Sequence, residues 1–176
     1  LYLAGETRKE LGGSYYYRLH GAVGNSVPGA AEAGPATARA LHRAMRAGLV
    51  RACHDCSEGG LGVCLGEMAL AGDLGAEVAL ANIPTGDQDA RVADWLLFSE
   101  SNGRHVVEVA PEDAPAFEAE MHDVPCACIG RVVGTPTLTV ATCRGEEGTL
   151  FSISVSALRE AWRGHLDDHG AQERNR

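Results

Sequence analysis

Residues Cys53–Gly72 read CHDCSEGGLGVCLGEMALAG. The opening residues complete a strand that begins at Val50 and ends at His54. Gly59-Gly60 then turns the chain. After the turn, Leu61, Cys64, Leu65 and Met68 recur at helical spacing and form one apolar face. Ser57 stands where an N-cap is expected. A strand that feeds a glycine turn and then a helix gathers backbone N–H groups that lack intrahelical partners. The positive end of the helix dipole lies at the same point, so the joint suits an anion. Ser57, Gly59 and Gly60 are therefore candidate anion-facing residues. Joints of this type are also common without any ligand, so the stretch does not identify a function alone.

Toward the N-terminus, Gly21–Gly34 reads as loop and Pro35 opens a helix with Leu41, Ala44, Met45 and Leu49 in register. Gly48 marks its end. Leu1–Ala4 reads as a strand, Gly5–Ser14 as a charged loop, and Tyr15–Tyr17 as a short strand or a helical turn. Toward the C-terminus, Gly72–Gly75 is a turn, Ala76–Leu80 a strand and Asn82–Gln88 a loop. Asp89–Leu97 has helical character. His105–Val109 is a strand by its β-branched content, and Pro111–His122 an acidic helix. One strand is expected over Ala127–Val133. Thr137–Ala141 and Thr149–Val155 are expected to pair through a hairpin turn at Arg144–Gly148. Ser156 should cap a last helix carrying Leu158, Ala161, Trp162 and Leu166. The alternation predicts an α/β fold (α+β, mixed sheet) with helices against a mostly β layer. The expected division is a linker and lead-in segment over 1–34, a domain over 35–166 and a polar tail over 167–176.

The 176 residues suit one domain of ordinary size, and 45% hydrophobic against 22% charged residues allow a real core. The net charge of −9 argues against nucleic acid as a partner. No run of about 18 apolar residues suggests a membrane span. The first residues do not read as a signal peptide. The missing Met and the start within a strand read as a piece of a longer polypeptide.

Six cysteines require a decision: Cys53, Cys56, Cys64, Cys126, Cys128 and Cys143. Cys53-x-x-Cys56 and Cys126-x-Cys128 could be two halves of a zinc site, which defines a non-catalytic zinc or thiol alternative. The second pair is tighter than usual, and buried free thiols behave as small hydrophobes. A domain of this size needs no disulfide staples. Reduced thiols point to the cytoplasm. No metal ligand set is assigned.

Ser99-Glu100-Ser101 with Arg104 forms a second polar island between apolar segments. The two hydroxyls and the carboxylate suit a ribose or an amide, and Arg104 could hold a phosphate through two N–H groups. The plain alternative is a Glu100–Arg104 ion pair. His54 and Asp55 resemble a base with its orienting carboxylate, but neighbours on a strand point to opposite faces, so no catalytic dyad is assigned. Glu67 beside the helix stripe reads as a surface charge. Nucleophile-elbow, Walker and dinucleotide fingerprints are absent.

Four segments together resemble the large subunit of the phosphoribosylformylglycinamidine synthase family. Gly5–Ser14 resembles its LGET…ELGGS segment, and His54–Leu61 its HD-x-S-[DE]-G-G-L motif. Leu97–Ser101 with Arg104 resembles LFSES…R, and Ile129–Val133 the IG-x-V strand. They run in family order over nearly the whole chain. The resemblance implies a three-layer α/β/α, AIR-synthetase-C-terminal-like fold, partly ferredoxin-like. It also implies an ATP-dependent ligase that joins glutamine-derived ammonia to formylglycinamide ribonucleotide, yielding formylglycinamidine ribonucleotide, ADP and phosphate. ATP and Mg²⁺ would be held mainly by other domains, and this chain alone would be inactive. His54, Asp55, Ser57, Gly59, Gly60, Ser99, Glu100, Ser101 and Arg104 become candidate substrate- or nucleotide-binding residues, with no catalytic residue assigned. The implied partners are the ATP-binding domains and a glutaminase component; apart from the resemblance, the chain alone could associate with a second copy. AIR synthetase is the related alternative, and a pure packing or dimerisation domain the non-enzymatic one.

Overall fold

The computed structural model describes residues 1–86, 92–142 and 148–164. It is a mixed α/β domain built on two four-stranded sheets. The first sheet runs β2 (Ala52–Asp55), β4 (His105–Glu108), β1 (Tyr2–Ala4), β5 (Cys126–Cys128), with all neighbours antiparallel. The second runs β6 (Gly130–Val133), β3 (Gly75–Ala79), β7 (Thr137–Ala141), β8 (Thr149–Ser154). Among the described residues, only β3 and β7 pair in parallel.

β1 explains how the first sheet is buried on both faces. Successive strand side chains point to opposite sides. Leu1 and Leu3 accordingly join one core cluster, and Tyr2 and Ala4 another. The Tyr2 side is covered by α2 (Gly34–Arg46), through Ala40, Leu41 and Ala44, and by α5 (Ala114–Glu120), through Phe117. The Tyr2 and Phe117 rings lie 4.9 Å apart. The Leu3 side is covered by α3 (Gly60–Gly72), whose Leu61, Cys64 and Leu65 also share a cluster with Val78, Leu138 and Val140 of the second sheet. α3 is apolar on most sides because it has protein on most sides.

The expected strand over Ala127–Val133 is two strands in different sheets. Ile129 lies between β5 and β6, is fully buried, and donates its N–H to the Leu1 carbonyl at 2.9 Å. A segment that pairs with β1 on one side and β3 on the other must change sheets, and Ile129 is where it does so. Pro111–His122 also divides: a 3₁₀ turn over Pro111–Asp113 precedes α5. Tyr15–Leu19 resolves the strand-or-helix choice as a short helix, α1, N-capped by Ser14, whose Oγ accepts from the Tyr17 N–H at 3.3 Å. The helical segment expected from Asp89 is α4, Ala93–Phe98, within the described residues. The hairpin turn at Arg144–Gly148 falls largely outside them, as do Cys143, Leu166 and the tail.

The last helix, α6 (Val155–Arg163), is capped by Ser154 rather than Ser156. The Ser154 Oγ accepts the Ala157 N–H at 3.1 Å. Ser154→Ala should cost about 1 kcal/mol in a urea unfolding series, and Ser156→Ala less than about 0.5 kcal/mol, because only the first leaves a helix N–H without its partner. Equal losses would reassign the cap. Trp162 stays 71% exposed although the helical pattern places it with Leu158, which packs on the core.

His105 on β4 has a buried Nδ1 with no hydrogen-bond partner. Burial holds its pKa below the ordinary 6.5, against a weaker opposing pull from Asp55. The unfolded chain therefore binds a proton more readily than the fold does. Stability from this residue is complete above about pH 6.5 and declines as pH falls below it, until the folded-state value is passed. An NMR titration of the imidazole should give a midpoint below that of an unfolded peptide. A midpoint at or above 6.5 would overturn the assignment.

Candidate functional site

Three of the sequence-predicted polar segments converge. The β2–α3 joint, the loop after α4 and the charged loop near the N-terminus meet around Glu100. One Glu100 oxygen, Oε1, accepts the Gly59 N–H at 2.8 Å and the Tyr15 N–H at 3.1 Å. Gly59 is the N-cap of α3, with φ +77°, and Tyr15 is the first residue of α1. The anion at the glycine turn is therefore a side chain of the protein itself. A carboxylate placed against helix-terminal N–H groups is favoured by both hydrogen bonding and the local dipole.

The flanking serines tie the same loop to the N-terminal segment. Ser99 Oγ accepts the Glu10 N–H at 3.2 Å, and Ser101 Oγ accepts the Arg8 N–H at 3.0 Å. The Glu100 N–H reaches the Glu10 carbonyl at 3.3 Å. Both serines are buried. Two hydroxyls expected to grip a ribose or amide serve the backbone instead.

Arg104 departs furthest from expectation. It is 1% exposed. Its Nε donates to the Ser101 carbonyl at 3.1 Å, its Nη1 to Thr7 Oγ1 at 2.9 Å, and its Nη2 to the Ser99 carbonyl. No Glu100–Arg104 ion pair occurs among the described residues. Burial works against the guanidinium charge, while Cys56, Cys64, Glu10 and Glu100 favour it. With its donors turned inward, Arg104 holds the loop and presents no open fork to a phosphate.

Ser57 does not cap α3. Its Oγ donates to Asp55 Oδ2 at 2.8 Å, and this bond chiefly holds the Asp55 pKa below the usual range. Gly60 donates its N–H to the Ser57 carbonyl at 2.9 Å and has φ +63°. His54 lies on a different side from the Glu100 cluster. Its Nε2 is 2.9 Å from Glu67 Oε2, and its Nδ1 is 3.4 Å from Asp55 Oδ1. Glu67 is thus a partner of His54 rather than an isolated surface charge. His54 and Glu67 line a cavity of about 750 Å³ with Leu65, Met68, Leu74 and Trp162, and none of the Glu100 cluster lines it.

Sequence reading took Glu67 for a surface charge and gave no individual role to Thr7, Glu10 or Tyr15. The last three belong to the charged loop and its following turn, whose partner segment lies roughly 90 positions away. The zinc alternative loses its geometry. Cys53 is on β2 and Cys126 and Cys128 are on β5, at opposite edges of the first sheet. Three strand spacings separate these edges by about 14 Å. Among the described residues, no three His, Cys, Asp or Glu side chains form a metal-sized cluster. None of the described helices is long and apolar enough to cross a membrane.

A family described as "AIR synthase related protein, C-terminal domain" matches residues 1–142. The chain is 41% identical over 167 residues to phosphoribosylformylglycinamidine synthase subunit PurL of Moorella thermoacetica, covering 93% of this chain and 21% of the relative. It is 39% identical over 168 residues to the Synechocystis subunit PurL, again covering 93% and 21%. The chain thus spans about a fifth of the length of these relatives. Among solved structures, Thermotoga maritima PurL complexed with FGAR superposes with a TM-score of 0.75 at 22% identity, over 89% of this chain and 27% of that one. The ATP complex gives 0.65 over 89% and 24%, and the PurLQS structure 0.70 over 89% and 25%, each at 22% identity. At that identity the likeness concerns the fold.

Proposed function

This chain belongs to the AIR synthase related protein C-terminal domain family, and from that premise we propose that it is such a domain of a phosphoribosylformylglycinamidine synthase of the PurL type. The reaction would be ATP-dependent transfer of ammonia to formylglycinamide ribonucleotide, forming the amidine with release of ADP and phosphate. The observation that carries the reading is the identity of 41% with a PurL subunit over 93% of this chain. The fold supports the finer architectural reading as well: helices cover both faces of the first sheet, as in a three-layer α/β/α arrangement with partial ferredoxin likeness.

The residues present define this domain's share of the work. Gly59 already has Glu100 as its anion, and Arg104 has no outward-facing donors. The two groups expected to hold a phosphate do not fit one here. ATP and Mg²⁺ would accordingly be held by other domains of the polypeptide, and the chain by itself would not turn over. Its contribution is a rigid joint. Glu100, Ser99, Ser101 and Arg104 lock three loops into one surface, which a neighbouring ATP-binding domain would face. PurL of T. maritima is seen with ATP and in PurLQS, which supports a nucleotide and a glutaminase-type partner for the whole protein. A cytoplasmic location follows from the same reading.

A chimera tests this. The corresponding region of Moorella PurL would be replaced by this chain, and ADP formation measured with ammonium chloride and formylglycinamide ribonucleotide. Substrate-dependent ADP formation above that of the relative lacking the region is expected. A folded chimera without it would overturn the proposal.

A further inference from the structure

The cavity of about 750 Å³ beside the first sheet takes no part in the Glu100 joint. Strand alternation builds its floor. Ala52 pairs with Glu108 and His54 with Val106, and Val106 shares the core cluster of Leu3. Ala52, His54 and Glu108 therefore stand on the Leu3 side of the sheet. The last two turns of α3, including Met68, and Leu74 just beyond them form one wall. The end of α6 forms the mouth, where Trp162 is 71% exposed. The volume lies in the range of small-molecule sites.

Glu108 decides the chemistry of this space. Its side chain is half-buried, and among the described residues no side-chain hydrogen bond or ion pair satisfies it. The Leu1 amine lies near enough to feel its charge but donates its own hydrogen bond to the Gly130 carbonyl at 2.7 Å. Glu67, the second carboxylate of the lining, is 2.9 Å from His54 Nε2. The carbonyl end of α3 adds negative potential at the same wall. Of the two arginines at the mouth, Arg159 is held by Asp73 at 2.8 Å and Arg163 stands exposed.

An anion in the cavity would meet two carboxylates and a helix C-terminus. A neutral apolar molecule would shut Glu108 away from water without a partner, which is costly. An ammonium instead satisfies Glu108 by a charge-assisted hydrogen bond, while its hydrocarbon body covers Met68, Leu74 and Trp162. We propose that this cavity is a binding site for a small organic cation, a primary ammonium carried on an apolar body of aromatic-ring size. Glu108 is its counter-ion, and Trp162 packs on the apolar body. This inference does not depend on the proposed ligase function.

Phenethylamine is the probe. It would be titrated into the purified protein and followed by the NMR shifts of backbone and indole N–H groups. Saturable shifts centred on Glu67, Met68, Glu108 and Trp162 are expected. Phenethyl alcohol, of the same shape without the charge, should bind about tenfold more weakly, and phenylacetate should not bind. Glu108→Gln should weaken phenethylamine by about tenfold and leave the alcohol unchanged. Trp162→Ala, at an exposed position, should weaken both. Absence of saturable shifts, equal affinity for amine and alcohol, or a preference for phenylacetate would overturn the proposal. So would a folded Glu108→Gln or Trp162→Ala protein that binds the amine as tightly as the parent does. If Glu108→Gln does not fold, the comparison of amine with alcohol in the unsubstituted protein still decides whether the charge is read.

Discussion

Arg104→Ala is expected to destabilise the protein by about 3–5 kcal/mol, with a large drop in the urea midpoint. The substitution removes a fully buried side chain and leaves the Ser99 and Ser101 carbonyls and the Thr7 hydroxyl without a donor. Each buried acceptor stranded in this way costs about 1–3 kcal/mol, and the vacated volume adds to the loss. Arg104→Lys should recover only part of the stability. An ammonium on a flexible stem cannot reproduce three donors in the plane of a fork. A residue used to bind a surface phosphate would behave differently, with stability nearly unchanged and ligand affinity lost. A loss below about 1 kcal/mol would therefore return Arg104 to the ligand-binding role that the sequence suggests.

Gly60→Ala should be similarly severe, at about 3 kcal/mol or more, from left-handed backbone strain and overpacking together. At φ +63°, an added Cβ would meet the Ser99 carbonyl oxygen and lie 2.8 Å from that of Leu97. Neither neighbour is a side chain that can swing away. The joint and the loop after α4 would have to separate, and the Gly59–Glu100 hydrogen bond lies between them. Gly48→Ala is the control. Its φ is +76°, but no atom lies within 4 Å of the added Cβ, so only strain of about 1 kcal/mol is expected. Paired urea series for the two variants separate steric contact from strain. Equal losses would show that close approach at Gly60 is unimportant.

These two residues show where legibility ended for the site. Ser99, Glu100, Ser101 and Arg104 were recognisable as a polar island, and Gly59-Gly60 as a turn offering N–H groups. Their mutual use was not recognisable. The expected partner was an external ligand or, for Glu100 and Arg104, each other, whereas the complementary groups came from other parts of the chain. Glu100 satisfies Gly59 across 41 positions, and Arg104 satisfies Thr7 across 97. His54 gave a related lesson. Its neighbour Asp55 was visible, but Glu67, the closer partner at 2.9 Å, is thirteen positions downstream on the next element.

Local chemistry determined the elements. Helical apolar spacing located α2 and α3, β-branched content located β4, and glycine and proline marked the turns. Four ordered motifs determined the family. Only the tertiary structure decided that Ala127–Val133 divides at Ile129 between two sheets, because a seven-residue strand-forming run has the same local preference whether it pairs with one sheet or two. It also decided the direction of Arg104. A guanidinium turns inward when enough acceptors converge on it to replace water, and those acceptors come from segments that folding alone brings together.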